Sequence, residues 1–204
     1  SLMQIVAKYV SATGDSSILN ADVAGKSVLE RIDVMIDYLL RERYSSKYGL
    51  IYGAMTADWG DVQQGDGFAC DMNEKSTPAI DVYDNAMLII ALRDLEKVVG
   101  DKQYTKRWSK LRKSLAKNVR RHLWDSKRQK FILHIYLDKS PIPADFDESA
   151  VHYHGGTAVA IEAGLLSKKE IKAVNAQMLE NVKQSGMPSI GLTLYPPYPK
   201  GFFG

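Results

Sequence analysis

Two aspartates flank a tryptophan in the segment Thr56-Ala57-Asp58-Trp59-Gly60-Asp61. A carboxyl group on a glycine-containing loop has its pKa raised where its surroundings partly bury it, and such a group can protonate a glycosidic oxygen. The flat ring of a tryptophan can also stack against the C–H face of a sugar. We therefore predict that Asp58 or Asp61 is a general acid and that Trp59 binds the sugar.

Two other interpretations of these aspartates stay open. Aspartates in a turn more often accept hydrogen bonds from backbone N–H groups than take part in catalysis. A calcium site is the second alternative, although the spacing of the acids differs from that of the EF-hand loop. Its ligands would be Asp58, Asp61, Asp66 and Asp71.

More polar and aromatic residues lie on either side of this segment. Tyr52 offers another ring for stacking on a sugar. Asp81, Asp84 and Asn85 share one arc at the start of a predicted helix, because their spacing is i, i+3 and i+4. Buried polar groups need hydrogen-bond partners. These three residues therefore bind the neighbouring loop, line the mouth of a substrate site, or do both.

A second candidate segment is His152-Tyr153-His154-Gly155-Gly156-Thr157. Two histidines at i and i+2 resemble a metal-binding pair, but no third ligand has a suitable spacing. We predict that His154 borders the substrate cleft, with a purely structural role as the alternative. The sequence has no P-loop, no Rossmann glycine pattern and no Gly-x-Ser-x-Gly motif, so we expect no metal and no cofactor.

The apolar pattern predicts a mostly helical chain built from inner and outer helices. The third predicted helix is apolar almost all round, which is typical of a helix buried on every side. The fourth has one apolar face and one basic face, and the sixth starts with a capping box at Ser167 and Glu170. The predicted helices span residues 4–11, 26–43, 78–99, 102–123, 156–166 and 168–184, with a long loop at 49–77 and a β-hairpin within 124–138.

Composition excludes several classes of protein. The 204 residues are 45% hydrophobic, carry a net charge of +3 and include a single cysteine, so no intrachain disulfide is possible. No apolar run approaches the roughly 18 residues that suggest a membrane span. Basic residues cluster between Asp101 and Lys130, where we expect a solvated outer helix face, with a polyanion-binding surface as the alternative. Nucleic acid is not an expected partner, and the compartment, exported or cytoplasmic, stays open.

Four short segments carry a family resemblance. They are Tyr48-Gly49-Leu50-Ile51-Tyr52-Gly53 with Thr56 to Val62, Ala79-Ile80-Asp81-Val82-Tyr83-Asp84-Asn85-Ala86, Tyr153-His154-Gly155-Gly156-Thr157, and Leu194-Tyr195-Pro196-Pro197-Tyr198-Pro199. Spread over roughly residues 25–204, they resemble the six-hairpin glycosidases, the clan of (α/α)6-toroid enzymes that includes trehalase-like, glucosidase-like and debranching-type hydrolases.

This resemblance implies an all-α fold: a partial (α/α)6 toroid of about three α-hairpins, with long functional loops and a small β-hairpin. Residues 1–204 would form one domain, truncated at its C-terminal end, and the truncated form would self-associate through exposed apolar faces. The implied activity is hydrolysis of an oligosaccharide or glycoside by inversion, with Asp58 as the first choice of acid and Asp61 as the second. Glu148 and Glu162 are the only acids with a claim to be the base.

Two rival functions stay open. The first is a non-catalytic carbohydrate-binding or assembly module on the same helical scaffold. The second is a toroid enzyme with other chemistry, such as a lyase or an epimerase. Lyase action would need a uronic-acid substrate and a Tyr/His pair, for which Tyr153 and His154 are the nearest candidates.

Overall fold

A computed structural model describes residues 2–56, 72–188 and 192–202. Within these ranges the chain is mostly helical, with small antiparallel strand pairs in the connections, which confirms the prediction of a mostly-α fold. Asp58, Trp59 and Asp61 lie outside the described residues. The six described α-helices are α1 (Leu2–Thr13), α2 (Val28–Glu42), α3 (Val82–Val98), α4 (Lys102–His122), α5 (His154–Glu162) and α6 (Lys168–Ser185).

The described strands are two or three residues long and all pair antiparallel. Three of the four two-stranded pairs close local turns, whereas the fourth pair and one three-stranded sheet join distant parts of the chain. The pairs are β1 (Asp22–Val23) with β2 (Lys26–Ser27), β3 (Tyr44–Ser45) with β4 (Leu50–Ile51), β7 (Trp124–Asp125) with β8 (Lys130–Phe131), and β10 (His152–Tyr153) with β11 (Leu194–Tyr195). The sheet has the order β5 (Gly53–Ala54), β6 (Pro78–Ile80) and β9 (Ile135–Tyr136).

Helix α3 is the centre of the core. Its apolar side chains point in all directions, and Leu88, Ile89, Leu92 and Leu95 are each no more than 5% exposed. A helix with this pattern must be covered on every side. Three helices provide the cover, because α1, α4 and α5 all pack against α3.

Helices α4 and α6 lie on the outside. Trp108, Leu115 and Val119 bury one face of α4, while lysines on its opposite face are exposed. This confirms the predicted solvated face for Lys102, Lys106, Lys110, Lys113 and Lys117.

One basic residue of α4 instead joins the two outer helices. Arg120 Nη2 donates to Glu170 Oε1 at 2.6 Å, and the guanidinium lies 4.8 Å from the centre of the Trp124 ring. The same Glu170 completes the predicted capping box with Ser167 at the start of α6. The capping carboxylate therefore also ties α6 to α4.

Helix α3 starts later than predicted. Pro78, Ala79 and Ile80 form strand β6 between β5 and β9, so the prediction of a helix beginning at Pro78 is wrong. The cap is Asp81, whose side chain accepts a hydrogen bond from the backbone N–H of Asp84 at 2.8 Å. Strand pairing satisfies the backbone at 78–80, which local helix signals cannot reveal.

Two further predicted boundaries change. Helix α5 begins at His154 rather than at residue 156, and ends at Glu162. The predicted hairpin within 124–138 is two separate features: β7 and β8 form a hairpin, whereas β9 leaves it to join β6. No helix in the described ranges is both long and apolar enough to cross a membrane.

Gly156 marks the closest approach of α5 to α3. A Cβ atom at this position would lie 2.5 Å from Tyr153 Cε1 and 2.7 Å from Val82 Cγ1. Both atoms belong to buried side chains, so neither can move away freely. Only glycine permits this packing.

We predict that Gly156→Ala lowers the free energy of unfolding by about 1–2 kcal/mol, because the clash outweighs the better helix propensity of alanine. Urea unfolding followed by circular dichroism measures the change. Gly100→Ala is the matched control, since a Cβ there meets no atom within 4 Å. Equal stability of the two variants would contradict the packing described here.

Candidate functional site

Three side chains from two other parts of the chain surround the carboxylate of Glu148. Its Oε1 atom accepts three hydrogen bonds: from His134 Nδ1 at 2.9 Å, from the Tyr136 hydroxyl at 2.6 Å and from the Tyr198 hydroxyl at 2.5 Å. The Glu148 side chain is 16% exposed and that of His134 is 3% exposed. Three donors on one oxygen of a mostly buried carboxylate are characteristic of an ionised group.

Three separate parts of the chain bring these groups together. His134 and Tyr136 lie two residues apart around β9, so their side chains leave the strand on the same face. Glu148 opens a 3₁₀ turn, Glu148–Ala150, that Asp147 caps by accepting the N–H of Ser149 at 3.0 Å. Tyr198 arrives from the segment that follows β11.

The pKa shifts distinguish the hydrogen-bond acceptor, Glu148, from its donors Tyr136 and Tyr198. Burial raises the pKa of Glu148, but the hydrogen bond and charge of His134, with the two tyrosine hydroxyls, outweigh it, and the pKa is lowered overall. Burial and the neighbouring Glu148 carboxylate raise the pKa values of Tyr136 and Tyr198. The carboxylate is therefore anionic at neutral pH, and both phenols are neutral donors.

His134 links this centre to the start of the segment that carries the predicted acids. Its Nε2 lies 3.2 Å from the carbonyl oxygen of Thr56. The other ring nitrogen, Nδ1, contacts the Glu148 carboxylate. The His134 ring therefore lies between Glu148 and Thr56, two residues before Asp58 in the sequence.

A cavity of about 200 Å³ lies against this centre. The described residues give Glu148 Oε2 no hydrogen-bond partner, whereas Oε1 has three. The cavity therefore adjoins the Glu148 carboxylate, whose Oε2 can accept further hydrogen bonds. It also adjoins the fully buried Val151 and the buried ammonium group of Lys130. Its lining is Lys130, Ile132, Leu133, His134, Glu148, Ser149 and Val151.

An aromatic ladder flanks the carboxylate. The ring of Tyr198 lies 5.2 Å from that of Phe146 and 5.2 Å from that of Phe202, and it is stacked on Phe202 at an interplanar angle of 11°. The same tyrosine thus orders the rings and donates to Glu148. Rings beside a carboxylate are the groups that sugar sites use for C–H faces and hydroxyls.

Two of the predicted residues at the start of α3, Asp81 and Asp84, form a carboxylate pair. Asp81 caps the helix, and Asp84 Oδ2 lies so close to Gly53 that a Cβ there would be 2.9 Å away. Burial, followed by the charge of Asp84, raises the pKa of Asp81 well above its ordinary value. Burial also raises the pKa of Asp84. Placing two partly buried carboxyl groups together is costly, and such pairs are often found at functional sites.

Asn85 and Tyr52 have structural hydrogen bonds. The buried Asn85 amide accepts the N–H of Ile51 at 3.0 Å and donates to the carbonyls of Ile51 at 3.0 Å and Asp81 at 2.9 Å. The Tyr52 hydroxyl donates to the carbonyl of Glu42 at 3.0 Å. Asn85 therefore makes the contacts that the loop-binding interpretation requires, and contact of either residue with substrate stays a prediction.

His154 lies in the interior, with 2% exposure. Its Nε2 accepts a hydrogen bond from Asn181 Nδ2 at 2.8 Å, and its backbone N–H donates to the carbonyl of Thr193 at 2.8 Å. Burial lowers its pKa, against the opposing effect of the Leu192 backbone. These contacts are those of the structural interpretation, and substrate contact stays a prediction.

Glu162, the other acid with a claim to be the base, lies on the surface. Its side chain is 67% exposed and pairs with Arg93 at 2.8 Å. It belongs to no cluster with Glu148. Of the two acids, only Glu148 is mostly buried and accepts three side-chain hydrogen bonds.

The sequence patterns do not identify His134, Tyr136 and Tyr198 as a group. The predicted β-hairpin within 124–138 includes His134 and Tyr136, and residues two apart in a strand share a face. The Tyr-Pro-Pro-Tyr-Pro segment pointed to Tyr198 only through the family resemblance. Nothing in the sequence places these two regions beside Glu148.

The fold is similar to that of a solved GH78 family rhamnosidase of Bacillus sp. GL1. The TM-score is 0.61 at 15% sequence identity, over 98% of this chain. The chain spans 17% of the length of that rhamnosidase. No protein-family model matches the sequence, and no curated protein matches it. At this identity the similarity shows the fold alone.

We predict that Asn85→Ala lowers the free energy of unfolding by about 3 kcal/mol, because it leaves buried backbone groups of Ile51 and Asp81 without partners. Chemical denaturation gives the value. Asn175→Ala, at an exposed position of α6, is the control and should be unchanged or slightly more stable. A neutral Asn85→Ala would contradict the role of this amide in holding β4 on α3.

We predict that Asp84→Asn is more stable than the original protein at pH 7. The pKa of Asp84 is raised in the folded state. As the pH increases past the pKa of Asp84 in the unfolded state, the unfolded state loses its proton first. The original protein therefore loses stability as the pH rises. Asparagine removes this loss, so the two proteins should converge near pH 3. Thermal unfolding from pH 3 to pH 7 measures it, with exposed Glu180→Gln as control. A difference that is independent of pH would rule out the carboxyl group as its cause.

Proposed function

We propose that this chain is part of a glycoside hydrolase and that the Glu148 centre contributes to its sugar site. The observation that carries the proposal is the combination of a rhamnosidase-like fold with a built carboxylate beside a cavity and an aromatic ladder. The similarity alone supports only the fold. The geometry at Glu148 adds the chemistry that a saccharide requires.

The proposed architecture is one domain over residues 1–204, forming part of an (α/α)6 toroid. Helices α1, α3 and α5 are the inner members, since α3 packs directly between α1 and α5. Helices α2, α4 and α6 are the outer members. This assignment gives three inner–outer hairpins and leaves one side of α1 exposed at Leu2, Ile5 and Tyr9.

In the proposed reaction, a carboxylic acid protonates the glycosidic oxygen while water attacks the anomeric carbon from the opposite face. Asp58 is the proposed acid, and Asp61 is the second choice. A second carboxylate takes the proton from the attacking water and completes an inversion of configuration. The leaving group departs as a neutral alcohol, so the proton count balances.

Glu148 is better suited to binding sugar hydroxyls than to taking a proton from water. Its lowered pKa makes it a weak base, because three donors already stabilise its negative charge. A fixed anionic oxygen is nevertheless a strong acceptor for a hydroxyl. Glu148 is therefore proposed as a substrate-binding residue, with His134, Tyr136 and Tyr198 holding its carboxylate in place.

A second candidate function is a carbohydrate-binding module without catalysis. The observation that favours it is the saturated state of Glu148 Oε1, which suits binding rather than proton transfer. Both functions use the same cavity. They differ in whether Asp58 matters for turnover.

We predict that Asp58→Asn lowers kcat on alkyl glycosides by at least about 100-fold, because an alcohol leaving group needs the proton that a general acid supplies. Glu148→Gln should chiefly raise KM, because it weakens an acceptor for sugar hydroxyls. Release of reducing sugar from a panel of alkyl glycosides that includes an α-L-rhamnoside measures both. Glu180→Gln, at an exposed position of α6, is the matched control.

Sugar binding without turnover of any glycoside, lost on Trp59→Ala and retained in Asp58→Asn, would favour the binding module. Turnover with full activity in Asp58→Asn would contradict the assignment of the acid. Unchanged kinetics in Glu148→Gln would remove Glu148 from the substrate site.

A further inference from the structure

Lys130 is a buried cation without a carboxylate partner. It is 6% exposed, and its Nζ donates to the carbonyls of Ser149 at 2.6 Å and Val151 at 2.8 Å. An ammonium group has three N–H donors, and the described residues supply no partner for the third. Lys130 also forms no ion pair within the described ranges. Burying a charge in this way costs free energy unless an anion accompanies it.

The two acids whose charge acts on Lys130, Asp147 and Asp125, already accept other hydrogen bonds. Asp147 Oδ1 accepts from the N–H of Ser149 at 3.0 Å and from its hydroxyl at 2.6 Å. Asp125 Oδ1 accepts from the N–H groups of Lys127 at 2.9 Å and Arg128 at 3.0 Å. Both carboxylates cap turns, and their charge acts on Lys130 only from a distance.

A cavity of about 400 Å³ lies beside Lys130. Arg128 borders this cavity. Its Nη1 donates a hydrogen bond to the Ser149 hydroxyl at 3.1 Å, and its Nε lies 4.0 Å from Asp125 Oδ2. His152 and Gln177 add neutral hydrogen-bonding groups, and Asp147 is the acid in the lining. Burial, then the charges of Lys130 and His154, lower the pKa of His152 to about 4, so its imidazole is neutral at pH 7.

This cavity adjoins the Glu148 site. Lys130 and Ser149 line both the 400 Å³ cavity and the 200 Å³ cavity. Asp147 and Ser149 are also the chain neighbours of Glu148. A ligand that hydrogen-bonds to Glu148 through its hydroxyls can therefore present an attached group to Lys130 and Arg128.

We propose that the cavity lined by Arg128, Lys130, His152 and Gln177 binds the carboxylate of an acidic saccharide. The carboxylate accepts the third N–H of Lys130 and a fork of N–H donors from Arg128, and it supplies the counter-charge that the buried ammonium lacks. The sugar part of this assignment rests on the proposed function. The anion part rests on Lys130 and its surroundings alone.

The test is calorimetric titration of the chain with D-glucuronate, D-galacturonate, D-glucose and acetate at equal ionic strength. We expect a uronate to bind at least about tenfold more tightly than glucose or acetate, since charge-assisted hydrogen bonds to a partly buried site add to the sugar contacts. Arg128→Gln should weaken uronate binding about tenfold or more. Lys113→Gln, the same charge change on the exposed face of α4, should leave it unchanged.

Lys130→Met gives a second variant that keeps the apolar stem of the side chain. It should abolish uronate binding while circular dichroism shows a folded chain. If it unfolds, the Arg128→Gln and Lys113→Gln pair still decides the result. The proposal would be overturned if Arg128→Gln and Lys113→Gln changed the affinity for the uronate equally.

The remaining outcomes separate this proposal from the proposed function. Glucose binding that depends on Glu148, with no preference for uronates, would overturn the anion site and leave the sugar site standing. Acetate binding as tightly as a uronate, with the same dependence on Arg128, would overturn the saccharide assignment. Uronate binding that depends on Arg128, without turnover of any glycoside, would support the anion site and remove the hydrolase.

Discussion

The rest of the described structure depends on covering α3. A helix with apolar side chains on its whole circumference is stable only where other helices exclude water from each side. Helices α1, α4 and α5 do this, and Gly156 lets α5 approach closely enough to complete the packing. The outer helices and connecting loops then occupy the positions that these contacts leave.

The buried and partly buried ionisable groups described above lie at the polar ends of this core. At the start of α3, Asp81 and Asp84 share a partly buried position, and Asn85 holds the preceding loop to the helix. The small sheet of β5, β6 and β9 then extends from this point towards Glu148, since β9 is flanked by His134 and ends at Tyr136. The packed core therefore positions two groups of ionisable side chains.

Sequence alone predicted the features that depend on local pattern. The amphipathic face of α4 and the capping box at Ser167 follow from residues within a few turns of each other, and both are present. The start of α3 was mispredicted because Pro78 pairs with distant strands rather than with its own helix. The cluster of donors around Glu148 could not be predicted from the sequence for the same reason. Its donors lie between 12 and 50 residues away, and only tertiary packing brings them together.

The most direct test of the proposed sugar site is a crystal structure of the chain soaked with a mixture of neutral and acidic oligosaccharides. We predict a sugar in the cavity beside Glu148, with a hydroxyl within hydrogen-bonding distance of Oε2 and the rings of Phe146 and Tyr198 close by. A sugar bound elsewhere, with Glu148 still covered by its three donors and the cavity empty, would contradict it.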